Sequence, residues 1–128
     1  MLVGIPKEIK SHENRVAMLP FGVEDLVRAG HKVWVESNSG VGSGISDDEY
    51  ITVGAEIIDT AEEIFAKADM IVKVKEPQPV ELKMIRENQI IFTFFHFAAD
   101  RNLTVDFMET GAIGIAYETV QLDDGQLP

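Results

Sequence analysis

Two apolar runs in this chain each end in an ionisable side chain. Met70-Ile-Val-Lys73-Val-Lys75 ends in Lys75 and is closed by Glu76-Pro77, and Gln89-Ile-Ile-Phe-Thr-Phe-Phe-His96 ends in His96. In open α/β sheets ligands gather at the carboxyl ends of the strands. If both runs are parallel strands, an ammonium and an imidazole stand side by side over one crevice. Arg15 lies in the polar loop after a third apolar run, Leu2-Val-Gly-Ile5. A guanidinium grips a carboxylate by two parallel bonds, which an ammonium cannot do. An imidazole titrates near neutrality when unperturbed, which suits proton transfer. Together these groups describe an anion-binding site with acid–base function; their types alone name no substrate.

Each residue also has a plainer reading. Lys75 would be a strand-end lysine snorkelling to solvent. His96, among Phe94, Phe95 and Phe97, would be a satisfied core histidine. Arg15 would form a surface ion pair with Glu13 or Glu8, a contact worth little. Lys73 alternates with Lys75, so strand geometry expects both on the same side.

The positioning elements follow from pattern and punctuation. Leu2–Ile5 is a short buried strand closed by Pro6. Pro20 opens a helix that Gly30 stops, and His31–Glu36 is the second strand. Ser46-Asp-Asp-Glu49 and Thr60-Ala-Glu-Glu63 have capping-box spacing and start helices to about Val53 and Lys67. Ala55–Ile58 and Met70–Val74 are strands around the second of these helices. A helix over Pro79–Glu87 turns Leu82 and Ile85 inward. The continuous apolar character of Ile90–Phe95 implies a strand buried on both faces. A helix capped at about Asn102 ends at Gly111, and Ala112–Ala116 is the last strand. This alternation predicts an α/β fold: a Rossmann-like parallel sheet with helices on both faces. A turn-like tail, Gln121–Pro128, in place of a covering helix, suggests a truncated substrate domain of a longer protein.

Composition narrows the partners. The net charge of −11 over 128 residues disfavours nucleic acid and anionic membrane, which need clustered cationic surface. There is no cysteine, so thiolate chemistry is excluded. No apolar run reaches the roughly 18 residues of a membrane span. The amino-terminal residues look like a strand rather than a signal peptide, so a cytoplasmic location is expected. His12, His31 and the carboxylates lack metal-ligand spacing, and no metal is expected. Gly40-Val-Gly42-Ser-Gly44-Ile45 invites a dinucleotide reading, but Ile45 stands where the third glycine belongs and the preceding strand is the second. A glycine-rich turn is expected there, with no cofactor-binding residue in this chain.

Val3-Gly-Ile-Pro-Lys-Glu-Ile9, Glu13-Asn-Arg-Val-Ala17, Gly40-Val-Gly-Ser-Gly44, Ile71-Val-Lys-Val-Lys-Glu-Pro77 and Phe92-Thr-Phe-Phe-His-Phe-Ala-Ala-Asp100 closely resemble the alanine dehydrogenases of the hexameric bacterial type. The resemblance covers essentially the whole chain and places residues 1–128 in the N-terminal part of the substrate domain. It implies that an NAD-binding domain, absent from this chain, follows. It also implies reversible NAD-dependent oxidative deamination of L-alanine to pyruvate and ammonium in a homo-oligomer, a hexamer. Arg15 would hold the substrate carboxylate, Lys75 would polarise the carbonyl oxygen and help hold the carboxylate, and His96 would be the acid–base catalyst. The fragment alone would be inactive. Phe94 departs from the family, where many members have tyrosine, and Met18-Leu19 replaces the commoner Leu-Thr.

Two relatives share parts of the pattern: the transhydrogenase alpha subunit, whose pattern lacks the histidine, and the saccharopine dehydrogenases, whose opening sequence is less similar. A third alternative is a stand-alone module that binds a small acid.

Overall fold

The computed structural model describes residues 1–127. Six strands, β1 (Leu2–Ile5), β2 (Lys32–Glu36), β3 (Glu56–Ile58), β4 (Met70–Val72), β5 (Ile90–Thr93) and β6 (Ile113–Ala116), form one sheet. The order is β3-β2-β1-β4-β5-β6, and every pairing is parallel. Five helices join them: α1 (Pro20–Arg28), α2 (Asp47–Thr52), α3 (Ala61–Lys67), α4 (Pro79–Leu82) and α5 (Arg101–Glu109). This is the doubly wound α/β architecture expected from the alternation.

The capping chemistry works largely as the sequence implies. Glu49 reaches back to the Ser46 N–H at 2.8 Å, and Thr60 Oγ1 accepts the Glu63 N–H at 3.3 Å. The cap of α5 is Asp100 rather than Asn102: its Oδ1 accepts the N–H groups of Asn102 and Leu103. A carboxylate there also meets the positive end of the helix dipole.

Two cores flank the sheet. Ile5, Val23, Val33, Val35 and Tyr50 pack under α1 and α2 on one face. Ile64, Phe65, Ile71, Ile91, Phe95 and Phe107 pack under α3 and α5 on the other. Gly4 lies beneath α3, where an added Cβ would meet Ile64 Cγ2 at 2.4 Å. Absence of a side chain lets the helix sit close on the central strand.

Three expectations need correction. β5 is not buried on both faces within this chain: Ile90 and Phe92 are half-buried and Phe94 is 38% exposed, because α5 covers only the Ile91–Phe95 side. The helix at Pro79 is one turn and ends at Leu82, although Ile85 beyond it is buried. β4 stops at Val72, so the alternation expected to align Lys73 with Lys75 does not extend that far. Lys73 is fully buried between Glu8 Oε2 at 3.2 Å and Glu81 Oε1 at 2.8 Å, whereas Lys75 is half-buried beyond the ladder.

Candidate active site at the strand ends

The direction of winding reverses between β1 and β4, and that reversal opens a crevice above the carboxyl ends of the two strands. Arg15 lies in the loop after β1, Lys75 follows β4, and His96 follows β5. The three residues singled out from the sequence therefore rise from one end of the sheet.

Glu13 fixes Arg15. Its Oε1 accepts the Arg15 Nε–H at 2.9 Å and the Arg15 backbone N–H at 2.9 Å, and Oε2 accepts from Nη2 at 2.7 Å. The Glu13 side chain is only 7% exposed while that of Arg15 is 62% exposed. One edge of the guanidinium is thus anchored and the rest faces solvent. The Arg15 hydrogen bond holds the Glu13 carboxyl well below the usual range, at about 2, with a smaller pull from the Lys75 charge.

The glycine-rich segment shapes the same place. Val41–Ser43 is a single 3₁₀ turn. A Cβ on Gly42 would meet the Asn14 carbonyl at 2.6 Å, and one on Gly40 would meet the Ile45 carbonyl at 2.8 Å. Ser43 Oγ also donates to the Asn14 carbonyl at 3.1 Å. The glycines admit the chain's own backbone, and the turn packs on Asn14 and Ile45, where it seats the loop that carries Arg15. A cleft of about 150 Å³ between these segments is lined by Glu8, Glu13, Arg15, Asn38 and Ser39.

Lys75 is pinned through its backbone. Thr93 Oγ1, at the end of β5, donates to the Lys75 carbonyl at 2.8 Å, and Glu8 Oε2 accepts the Lys75 N–H at 3.4 Å. Among the described residues the Lys75 ammonium has no salt-bridge partner. It is held at its root and free at its tip.

His96 is exposed, which removes the core-histidine reading. Its backbone is left-handed, φ 53° and ψ 37°, a conformation that costs a non-glycine residue on the order of 1 kcal/mol or more. Glu118 Oε1 accepts the His96 N–H at 2.7 Å. Burial works to raise the Glu118 pKa, but this bond and the nearby imidazole outweigh it, and the carboxyl stays below its ordinary range. The His96 ring stacks loosely on Phe94, with centroids 6.1 Å apart, and Phe94 stacks on Tyr117 at 4.8 Å. His96 lines a second cleft, of about 340 Å³, with Lys10, Glu76, Phe95 and Asp100. Arg15 opens on one cleft and His96 on another, with the Lys75 segment between β1 and β5.

Glu13 is the ion-pair partner that the sequence offered for Arg15, whereas Glu8, the other partner named there, pairs with Lys73 instead. Thr93 and Glu118 also support the site and were not singled out from the sequence. Glu8, Thr93 and Glu118 act across 18 to 67 residues, a separation that periodicity does not reveal.

The strand order and the cluster at the carboxyl ends define a doubly wound α/β domain of the Rossmann type. Residues 4–128 match the family model described as "Alanine dehydrogenase/PNT, N-terminal domain", and the chain belongs to that family. An alanine dehydrogenase from Methanococcus maripaludis is 54% identical over the whole chain, which covers 34% of that protein. A solved L-alanine dehydrogenase superposes with a TM-score of 0.95 at 44% identity, over all of this chain and 35% of its own. A transhydrogenase from Sinorhizobium meliloti superposes with a TM-score of 0.86 at 29% identity, over 92% of this chain and 34% of its own. The chain spans about a third of the length of the curated relatives it matches.

Proposed function

We propose that the full-length protein carrying this chain is an NAD-dependent L-alanine dehydrogenase, interconverting L-alanine with pyruvate and ammonium. This chain supplies the substrate-binding part. NAD binds outside it, since the glycine turn is filled by Asn14 and Ile45. The observation that carries the reading is the placement of Arg15, Lys75 and His96 after β1, β4 and β5 in a chain whose curated relatives are named alanine dehydrogenase at 46–54% identity.

The chemistry of these groups suits that reaction. Arg15, anchored on one edge by Glu13, offers its free edge to the substrate carboxylate. Lys75 brings its ammonium to the carbonyl oxygen, where negative charge develops as ammonia adds to C2. His96 transfers protons as the carbinolamine forms and loses water, each step requiring a proton next to a held anion. Phe94 stands beside the imidazole on one side and is itself backed by Tyr117. The resemblance further supports a cytoplasmic homo-oligomer, a hexamer, acting on small molecules rather than nucleic acid or membrane. Among the described residues no helix is long and apolar enough to cross a membrane.

The test is NADH consumption by the full-length protein with pyruvate and ammonium together and with each alone. Consumption that requires both supports the reading. A folded protein inactive with both turns the assignment toward the transhydrogenase side of the family.

A further inference from the structure

At the carboxyl end of β4 a buried charged cluster takes over from the sheet. The β4–β5 ladder ends at the Val72–Phe92 pair. The Lys73 N–H still donates to the Phe92 carbonyl at 3.0 Å and the Phe94 N–H to the Val74 carbonyl at 3.4 Å. The N–H groups of Val74 and Lys75 turn instead to Glu8, in the loop after β1. Glu8 Oε1 accepts the Val74 N–H at 2.6 Å. Its Oε2 accepts from Lys73 Nζ at 3.2 Å and, over a longer contact, from the Lys75 N–H at 3.4 Å. Lys73 is shared with Glu81 Oε1 at 2.8 Å, and Glu81 Oε2 accepts the Gln78 N–H at 2.7 Å. On the other side, the fully buried Thr93 donates to the Lys75 carbonyl at 2.8 Å. The peptide groups on both sides of Lys75 are therefore held from two sides, by the loop after β1 and by β5.

Such a cluster is a poor way to gain stability. A buried ion pair or triad is often replaced by apolar side chains at no net loss. What a carboxylate supplies here is directional: one group receives two successive peptide N–H donors and the lysine that precedes them. It fixes the segment's position to within a hydrogen bond's tolerance. A reacting group displaced by about 1 Å can lose about a hundredfold in rate.

We propose that Glu8 and Thr93 are positioning residues for Lys75, with the Lys73–Glu81 pair keeping Glu8 in place. This rests on the assignment of Lys75 to the substrate carbonyl. Glu8→Gln sets an amide N–H₂ against donors that a carboxylate accepts, and Thr93→Val removes the hydroxyl while keeping the side-chain shape. Thr93→Ser retains the hydroxyl.

The experiment uses the full-length protein and two readouts. In the reductive direction with pyruvate, ammonium and NADH, Glu8→Gln and Thr93→Val are each expected to lower kcat roughly ten- to hundredfold. KM for ammonium changes less than kcat, and Thr93→Ser restores most of the rate. Amide hydrogen exchange at Val74 and Lys75 is expected to accelerate at least tenfold in Glu8→Gln, with exchange in β1 and β5 unchanged. Folded variants with parental kcat overturn the proposal, as does parental exchange at both amides. If Thr93→Val alone remains folded, its kcat and the recovery by Thr93→Ser decide. A parent that does not turn over alanine or pyruvate defeats the functional reading. The exchange data then still report whether Glu8 holds the Lys75 segment.

Discussion

Glu13 grips Arg15 by the Nε and Nη2 edge of its guanidinium while also accepting the Arg15 backbone N–H. One carboxylate thus fixes both the root and the head of the arginine, and the outward edge is left for an incoming anion. An exposed ion pair of this kind contributes little to stability; here its consequence is orientation.

Glu13→Gln is expected to loosen the arginine without removing it. KM for pyruvate should rise several-fold with a smaller change in kcat, whereas Arg15→Ala raises KM further. Initial-rate kinetics of the two variants check the order. The pH behaviour follows from the same bond. The Glu13 pKa is lowered to about 2 from the ordinary 4.5, so its contribution is fully present above about pH 4.5. It is lost as pH falls toward 2, a small effect for a pair whose guanidinium is exposed, so Glu13→Gln should flatten that part of an acid-unfolding curve only slightly.

Gly42 tests the role given to the glycine-rich turn. A Cβ there would stand 2.6 Å from the Asn14 carbonyl, and backbone on both sides cannot yield cheaply. Gly42→Ala is expected to cost about 1–3 kcal/mol of stability and to raise KM for pyruvate, because the displaced loop carries Arg15. KM for NADH should not move. A rise in KM for NADH instead would return the turn to cofactor binding.

The buried triad predicts a stability loss that depends on pH. Lys73→Met leaves Glu8 and Glu81 facing each other with no cation, and breaking a buried pair in this way costs about 3–5 kcal/mol. Desolvation, the leading effect on Glu81, already raises its pKa in the intact protein. In the variant Glu81 takes up a proton more readily, so the loss is smaller at low pH and grows as pH rises through the folded-state pKa. Urea unfolding of parent and variant at pH 5.5 and 8 measures this directly.

Tyr50 gives the alkaline counterpart. It is fully buried under α1 and donates its hydroxyl to the Met18 carbonyl at 2.8 Å. Burial raises its pKa from 10 to about 12. The folded state therefore holds this proton more tightly than the unfolded chain, and stability falls as pH rises from about 10 through 12. Tyr50→Phe should cost about 1 kcal/mol at neutral pH and reduce the alkaline slope. Tyr117, also raised by burial, leaves a residual slope.

The sheet was legible because each strand is a short apolar run and each crossover carries its own punctuation. Pro20, Thr60 and Pro79 mark helix starts in the residues themselves. The positions of Lys75 and His96 beyond strand ends were legible for a related reason: an ionisable residue closing an apolar run stands out, whereas Arg15 was placed only by the polar loop that follows β1. What failed was local extrapolation. Alternation assigned Lys73 and Lys75 to one side, but the strand ends at Val72, and Lys73 turns instead to carboxylates 65 residues before and 8 residues after it. Glu8 was misassigned to Arg15 and Glu118 was invisible for the same reason, since each acts on a backbone N–H far away in sequence. The left-handed turn at His96 leaves no mark in residue type, because histidine there replaces the glycine or asparagine that would have signalled it.

The most direct measurement is the rate of NADH consumption by the full-length protein and its His96→Ala variant, with pyruvate and ammonium together and with each alone. The account expects the parent to require both substrates, and the folded variant to lose about 10²- to 10⁴-fold in kcat, the range for a lost acid–base group. A parent that consumes NADH without ammonium, or a His96→Ala protein with near-parental kcat, would contradict it.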